Sequence, residues 1–344
     1  MSKTILSPLM NRNGNPAGSG QIEVITELRG FAATCVFLFH LVCVSNGYIS
    51  GEYLHAVFQY GKYGVQFFFV ISGFVIPYSM LRADYRVSDF FRFFQKRIVR
   101  IEPPYLVILA LTVLFLYVRS IADPGRPAGQ MPSWQQVMLH IGYLIPFSRY
   151  GWLSIVFWTL AIEFQFYLLF SLAYPVFVNG RWLRWGIYVL LTATCFLSRD
   201  AGLFFYWSPI FLMGIHTALL KLKRIGIVEY WLTIAILFGV IAYRLGWPTS
   251  LFALSAILVI YFQPDIKSRL LHFLGNISYS LYLSHTLIAF FIINLGIRFT
   301  KHGYQKIFFV TLAVAATLFF SYLLYRFVEK PAKKWAAAIN YRHE

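Results

Sequence analysis

The sequence predicts an all-α polytopic membrane protein with about ten transmembrane helices and both termini in the cytoplasm. Three observations lead to this fold class. The chain of 344 residues is 59% hydrophobic and only 12% charged, whereas soluble domains contain about 25% charged residues. Ten apolar windows, most of them close to the ~20 residues that cross a bilayer, follow one another along the chain. Basic residues concentrate in alternate connecting segments, as expected of a chain that crosses a membrane repeatedly.

The ten apolar windows are bounded by charged residues or by Pro and Gly breaks. They cover residues 28–46, 64–81, 103–119, 155–178, 183–198, 203–220, 227–245, 249–262, 277–296 and 305–328. The eighth window is short for a span. A further apolar stretch, 134–147, is broken by Gln135, Gln136 and His140 and ends near Pro146. This pattern favours an interfacial or re-entrant helix over an eleventh span.

Polar segments lie at both ends of the chain. Residues 1–24 are rich in Gly, Asn, Ser and Pro, and no apolar run precedes a small-residue cleavage site. They therefore predict a cytoplasmic tail and no removable signal peptide. Residues 25–335 are expected to form the membrane domain, and residues 336–344 a second short cytoplasmic tail.

The net charge of +17 is better explained by topology than by binding to nucleic acid, so no nucleic-acid partner is expected. With the N-terminus inside, 20 of the 30 Lys and Arg residues fall on the cytoplasmic side and 9 on the opposite side, while Arg29 lies at the mouth of the first span. Six basic residues crowd the segment 82–100. This segment can be a topology signal, a contact for anionic lipid headgroups, or a seat for the phosphates of a nucleotide-bearing cofactor. Arg97 and Arg100, three residues apart on one helical face, suit the last of these roles.

Ionisable side chains within spans are costly and are therefore candidate functional residues. Arg29 and His40 share the first span, and eleven helical steps bring them within about 20° of the same face and ~16 Å apart along the axis. That separation is comparable to the reach of a pantetheine arm from a nucleotide held at the inner surface. His40 is a candidate general base or transient acyl acceptor. The structural alternative is a neutral histidine hydrogen-bonded to a neighbouring helix.

Two other spans carry candidate residues. Glu163 is the only carboxylate at the centre of a predicted span, so it needs a partner or a proton. It could orient His40, or it could form a structural ion pair. His285 shares a helical face with Ser278 and Tyr282, where hydroxyl groups commonly form hydrogen bonds across helix contacts; a structural role is equally open. The sequence contains no evident phosphate loop, metal-ligand cluster or nucleophile elbow, and neither a metal nor a permanently bound cofactor is expected.

Six blocks of the sequence, in this order, resemble the membrane-bound acyltransferase 3 family. They are TELRGFAATCVFLFH with Arg29 and His40, GKYGVQFFFVISGFVI with Ser72, FFQKRIVRIEPPYL with Arg97 and Arg100, FWTLAIEFQFYLL with Glu163, LGNISYSLYLSHTLI with His285, and FVEKPAKKW with Glu329 and Pro331. The resemblance extends over nearly the whole chain, 25–335. Two positions depart from the family pattern, since Gln66 stands where many members carry an acidic residue and Phe164 where a polar residue is common.

The resemblance implies a single-domain enzyme of the inner (plasma) membrane that moves an acyl group, usually acetyl, from cytoplasmic acyl-CoA to a sugar hydroxyl on the far side. An O-antigen of lipopolysaccharide or an exopolysaccharide is the expected acceptor, and acetyl-CoA is a co-substrate. Arg29, Arg97 and Arg100 would hold the CoA phosphates, and His40 and Glu163 would be catalytic. Ser72, Tyr282 and His285 would bind substrate or support the structure. The sequence does not indicate the oligomeric state.

Two other functions remain open at this stage. A transporter or flippase for a lipid-linked sugar would also place polar groups inside the membrane, although no internal repeat is evident. His40 above a cytoplasmic arginine cluster is instead what a two-substrate transfer needs. The same chemistry could also act on a secreted small molecule such as a macrolide, or use a longer acyl group. Residues 120–153, with Trp134 and Trp152, are the expected acceptor region, but interfacial tryptophans are common without any ligand.

Overall fold

The computed structural model describes residues 19–45, 47–122, 131–264, 266 and 268–341. Residues 1–18 of the predicted N-terminal tail and residues 342–344 of the predicted C-terminal tail lie outside the described residues. So do Arg126 and Lys267, which contribute to the charge asymmetry of the sequence.

All regular structure in the described residues is helical, as the sequence predicts. The fourteen α-helices are α1 (Ser19–Cys43), α2 (Glu52–Phe58), α3 (Gly64–Arg82), α4 (Phe90–Ala122), α5 (Trp134–Ile141), α6 (Phe157–Asn179), α7 (Arg181–Leu197), α8 (Phe204–Lys221), α9 (Ile227–Leu245), α10 (Trp247–Phe262), α11 (Arg269–Asn276), α12 (Ser278–Phe299), α13 (Gly303–Leu324) and α14 (Lys330–Ala338). A π-helical segment, Tyr325–Glu329, joins α13 to α14. Helices suit a bilayer because they satisfy their own backbone hydrogen bonds.

Each of the ten apolar windows coincides with a helix. Seven helical segments of the described chain are long and apolar enough to cross a membrane, judged by length and composition, and α10 is a shorter apolar helix. The chain is therefore a multi-pass membrane protein, while the count of ten spans and the cytoplasmic placement of both termini stay predictions. Helix α5 has 8 residues and is about 12 Å long, too short to form an eleventh span.

Three helix boundaries differ from the sequence prediction. Helix α1 begins at Ser19, inside the segment predicted as a tail. Helix α4 has 33 residues and is about 50 Å long, so the basic segment and the third span form one continuous helix and Arg97 and Arg100 lie on the helix that enters the bundle. At the other end, the helical path continues through the π segment to Ala338, beyond the predicted domain boundary at 335.

Glycines at helix crossings bring two pairs of backbones into direct contact, as is common in membrane bundles. A Cβ on Gly73 of α3 would lie 2.4 Å from the Phe211 carbonyl oxygen of α8. A Cβ on Gly30 of α1 would lie 2.6 Å from the Leu271 carbonyl oxygen of α11. These contacts leave no room for a side chain. They fix the positions of α3 and α1 at the residues next to Ser72 and Arg29.

Candidate active site

A cavity lies between α1, α3, α4, α6 and α12, with the π segment and α14 along one side. It encloses about 930 Å³ of space, counted out to its opening. Its polar wall residues are Arg29, Ser72, Arg97, Arg100, Thr159, Glu163, Tyr167, Tyr279, Tyr282, Glu329 and Lys333. Six of the eight residues predicted from the sequence are among them, and the other two, His40 and His285, are not.

Four cationic side chains contribute to the cavity wall, from α1, α4 and α14. Arg29 and Lys333 each lie close enough to Arg100 for electrostatic interaction. The guanidinium carbon of Arg97 is 5.2 Å from the ring centroid of Phe93 and 5.7 Å from that of Tyr167. Arg97 is only 8% exposed, so its guanidinium is held in a fixed orientation. Clustered cations repel one another strongly in a low-dielectric site, and an anionic ligand would relieve that repulsion.

Two carboxylates share this cavity with the cations. Glu163 Oε1 accepts a hydrogen bond of 2.5 Å from Ser72 Oγ and another from the Tyr167 hydroxyl. Glu329 is 1% exposed, and its Oε2 accepts a bond of 2.6 Å from Ser280 Oγ, while its Oε1 lies 2.6 Å from Lys333 Nζ. The wall thus carries four cationic and two acidic side chains, and an excess of positive charge faces the cavity.

The cavity wall also includes a group of aromatic and hydroxyl side chains next to the histidines. The hydroxyls of Tyr282 and Thr159 are 2.7 Å apart, and the ring of Phe68 lies 5.4 Å from that of Tyr282. The ring of His285, about one turn further along α12, is 5.9 Å from the Tyr282 ring. Tyr282 therefore stands between the cavity and the histidines.

His40 and His285 form a pair between α1 and α12. His285 Nε2 lies 3.1 Å from His40 Nδ1. His40 Nδ1 also lies 2.9 Å from the Val36 carbonyl oxygen, and His285 Nδ1 lies 3.0 Å from that of Leu281. His285 is fully buried, whereas His40 is partly exposed.

The structure brings Arg29, Arg97, Arg100, Glu163, Ser72 and Tyr282 to one cavity. It gives His40 a different partner from the one suggested by the sequence, because Glu163 bonds to Ser72 and Tyr167 and no hydrogen bond among the described residues joins it to His40. The catalytic role of Glu163 stays a prediction.

Four cavity residues were missed by the sequence analysis as site residues. They are Thr159, Tyr167, Glu329 and Lys333. Two of the four carry a visible signal. Tyr167 follows Glu163 by four positions, and Lys333 follows Glu329 by four, a spacing that puts both members of a pair on one helical face.

The predicted acceptor region is organised around His140, a residue to which the sequence assigned no role. His140 is fully buried. Its Nδ1 lies 2.8 Å from the Gln136 carbonyl oxygen, and its Nε2 accepts a 3.0 Å bond from the Leu153 N–H. Burial lowers the pKa of His140, consistent with a neutral ring that donates from one nitrogen and accepts at the other. The Trp152 ring packs 5.7 Å from His140, whereas Trp134 is 70% exposed.

Comparison with known proteins identifies similar sequences. A family model described as an acyltransferase domain matches residues 25–326. The chain is 25% identical to O-acetyltransferase OatA of Staphylococcus aureus strain NCTC 8325, over 89% of this chain and 56% of that protein. It is 24% identical to a putative O-acetyltransferase of Staphylococcus aureus strain COL, over 93% of this chain and 59% of that protein. The chain thus spans just over half the length of these curated relatives. No solved structure matches it.

Proposed function

The chain belongs to the acyltransferase 3 family, and on that premise we propose that it is an integral membrane O-acetyltransferase. It takes an acetyl group from cytoplasmic acetyl-CoA and transfers it to a sugar hydroxyl of a surface polysaccharide, such as O-antigen or exopolysaccharide. The names of the relatives, O-acetyltransferase and putative O-acetyltransferase, support an acetyl donor and an oxygen acceptor.

The observation that carries this proposal is the cationic cavity beside the histidine pair. CoA presents phosphates on its nucleotide and a thioester at the far end of a long flexible arm. Arginine side chains bind phosphate oxygens through paired, charge-assisted hydrogen bonds. Arg97 and Arg100, together with Arg29, would hold the phosphates, and Lys333 would add positive charge. The arm would then extend along the cavity toward Tyr282.

The proposed orientation follows from the basic residues. A chain of ten spans with both termini inside leaves 20 basic residues in the cytoplasm and 9 outside. The first span then runs outward, with Arg29 near the cytoplasmic edge and His40 ~16 Å deeper along the same helix. In the plasma membrane, this arrangement admits CoA from the cytoplasm and the glycan from the opposite face.

His40 is the proposed reacting residue. As the acceptor oxygen bonds to the thioester carbonyl carbon, the acceptor hydroxyl gives its proton to His40 Nε2. The carbon–sulfur bond then breaks, and the departing CoA sulfur takes the proton from His40 Nε2, so the ring ends neutral. Proton transfer by a positioned side chain contributes about 10²- to 10⁴-fold to a rate. Glu163, which does not bond to His40, would act through its charge.

The decisive experiment compares surface glycans from cells that express the wild-type chain, His40→Ala or neither. We expect the wild type to add an acetyl group that mild base removes, detected by mass and by NMR, and His40→Ala to add none while it accumulates normally in the membrane. His216→Leu is the matched control, since His216 is also a buried histidine but does not line the cavity. Wild-type acetylation by His40→Ala would exclude the proposed mechanism.

A further inference from the structure

We infer that His285 is a positioning residue for His40: it accepts the Nδ1–H of His40 and thereby presents His40 Nε2 as the reacting nitrogen. This inference rests on the proposed function. It gives a specific role to a residue for which the sequence left substrate binding and structure equally open.

The first step assigns the hydrogen of His285. Its Nδ1 lies 3.0 Å from the Leu281 carbonyl oxygen, and a carbonyl oxygen can only accept. The hydrogen of His285 is therefore on Nδ1. Because a neutral imidazole carries one N–H and one lone pair, His285 Nε2 is an acceptor.

The second step assigns the hydrogen of His40. Its Nδ1 faces two acceptors, the Val36 carbonyl oxygen at 2.9 Å and His285 Nε2 at 3.1 Å. Two acceptors around one nitrogen require that the nitrogen carries the hydrogen, which is then shared in a three-centre bond. The lone pair of His40 is left on Nε2. No described residue forms a hydrogen bond with that atom, so it is free to take a proton from an acceptor hydroxyl.

The third step concerns the surroundings of the pair. The nearest rings are Phe37 and Tyr282 beside His285 and Phe39 beside His40. No acidic side chain of the described residues bonds to either histidine. His285 thus occupies the place that an orienting third group takes in nucleophile–base arrangements. When His40 gains a proton, its Nδ1–H becomes a charge-assisted donor, and such bonds are stronger than neutral ones.

Packing alone is the rival explanation, because His285 is fully buried. The chain contains a control for it. His216 is equally buried, and its Nδ1 lies 3.2 Å from the Tyr188 hydroxyl of a neighbouring helix. It does not line the cavity. A variant of His216 therefore removes a buried, hydrogen-bonded histidine without touching His40.

The test measures the transfer of radiolabelled acetyl from acetyl-CoA into base-labile glycan in host membranes, with the full chain and a range of acetyl-CoA concentrations. His285→Leu should lower kcat about 10- to 100-fold, the effect of losing one hydrogen bond to a charged group, with KM for acetyl-CoA unchanged. His285→Gln should stay near wild type, since its amide oxygen can accept from His40 Nδ1–H. His216→Leu should leave both constants unchanged.

Three results would overturn the inference: a wild-type kcat in His285→Leu, an equal loss in His285→Leu and His285→Gln, or a rise in KM that accompanies the loss in both. If His285→Leu does not accumulate in the membrane, His285→Met supplies the apolar comparison. An active His40→Ala enzyme would contradict the proposed function itself. An inactive His40→Ala with an active His285→Leu would contradict only the role of His285.

Discussion

Two regions of this protein bury the same residue types for different ends. Beside the cavity, arginine, glutamate, histidine and tyrosine side chains meet at α1, α4, α6 and α12. A second cluster between α7, α8 and α9 contains the same four types. There Arg184 Nη2 lies 3.1 Å from Glu229 Oε1, His216 bonds to Tyr188, and the His216 ring stacks 5.8 Å from that of Tyr230.

The difference lies in charge balance and access. In the second cluster the buried Arg184 has its own carboxylate partner, and none of its residues lines the cavity. In the cavity, four cations face two carboxylates across a space that opens outward. Buried polar residue types alone therefore do not identify a functional site in this chain. An excess of one charge around an open space does.

The largest effect that separates the two regions should be on stability. Glu229→Gln leaves Arg184, whose side chain is 6% exposed, buried without a counter-charge. Removal of one partner of a buried pair costs about 3–5 kcal/mol, so we expect a marked fall in the thermal midpoint of the purified protein. KM for acetyl-CoA should not change at a temperature where the variant is folded.

Arg181→Gln is the control for that substitution. Arg181 contacts the same carboxylate at 3.7 Å, but its side chain is 68% exposed, and exposed ion pairs contribute under about 1 kcal/mol. Its midpoint should be close to that of the wild type. A change in KM in Glu229→Gln would contradict the purely structural role of the second cluster.

The next effect should be on acetyl-CoA binding. Arg100→Gln removes a cation from the cavity wall, and the loss of a hydrogen bond to a charged group should raise KM for acetyl-CoA about 10- to 100-fold. The rate at saturation should change less. Steady-state kinetics with varied acetyl-CoA measures both constants.

Arg92→Gln is the matched variant on the same helix, α4. Arg92 lies two turns before Arg100 and is not part of the cavity wall. It removes the same charge from the same cytoplasmic segment, so it tests whether KM responds to the cavity or to overall basicity. Equal KM values in Arg92→Gln and Arg100→Gln would contradict a phosphate site at the cavity.

Much of the fold could be predicted because long apolar runs directly indicate membrane helices. The ends of helices could not. Helix α4 continues from the third window back to Phe90 through the basic segment, and α14 extends beyond the last window. These extensions are amphipathic or polar, so hydrophobicity does not detect them. Their length depends on packing against the rest of the bundle.

The site was predictable where one helix carries the information. Arg29 and His40 could be placed on one stripe of the first span from helical geometry alone. The partner of His40 could not, because it depends on the register between α1 and α12. That register is fixed in part where Gly30 meets α11, just before α12 begins. The Glu163–Ser72 bond likewise depends on the contact of α3 with α6.

The smallest of these effects should come from Glu163→Gln, the same substitution as Glu229→Gln in the other region. The amide oxygen can still accept from Ser72 and Tyr167, so the thermal midpoint should hold. Loss of the charge should lower kcat about tenfold, whereas loss of a group that itself transfers the proton would cost about 10²- to 10⁴-fold. KM for acetyl-CoA should fall or stay constant, because one negative charge near the phosphates is gone. A loss of 1,000-fold or more would make Glu163, and not His40 alone, a proton-transfer group. A lower midpoint with unchanged kcat would instead make the two carboxylates equivalent structural partners, and the contrast between the regions would then rest on the cations.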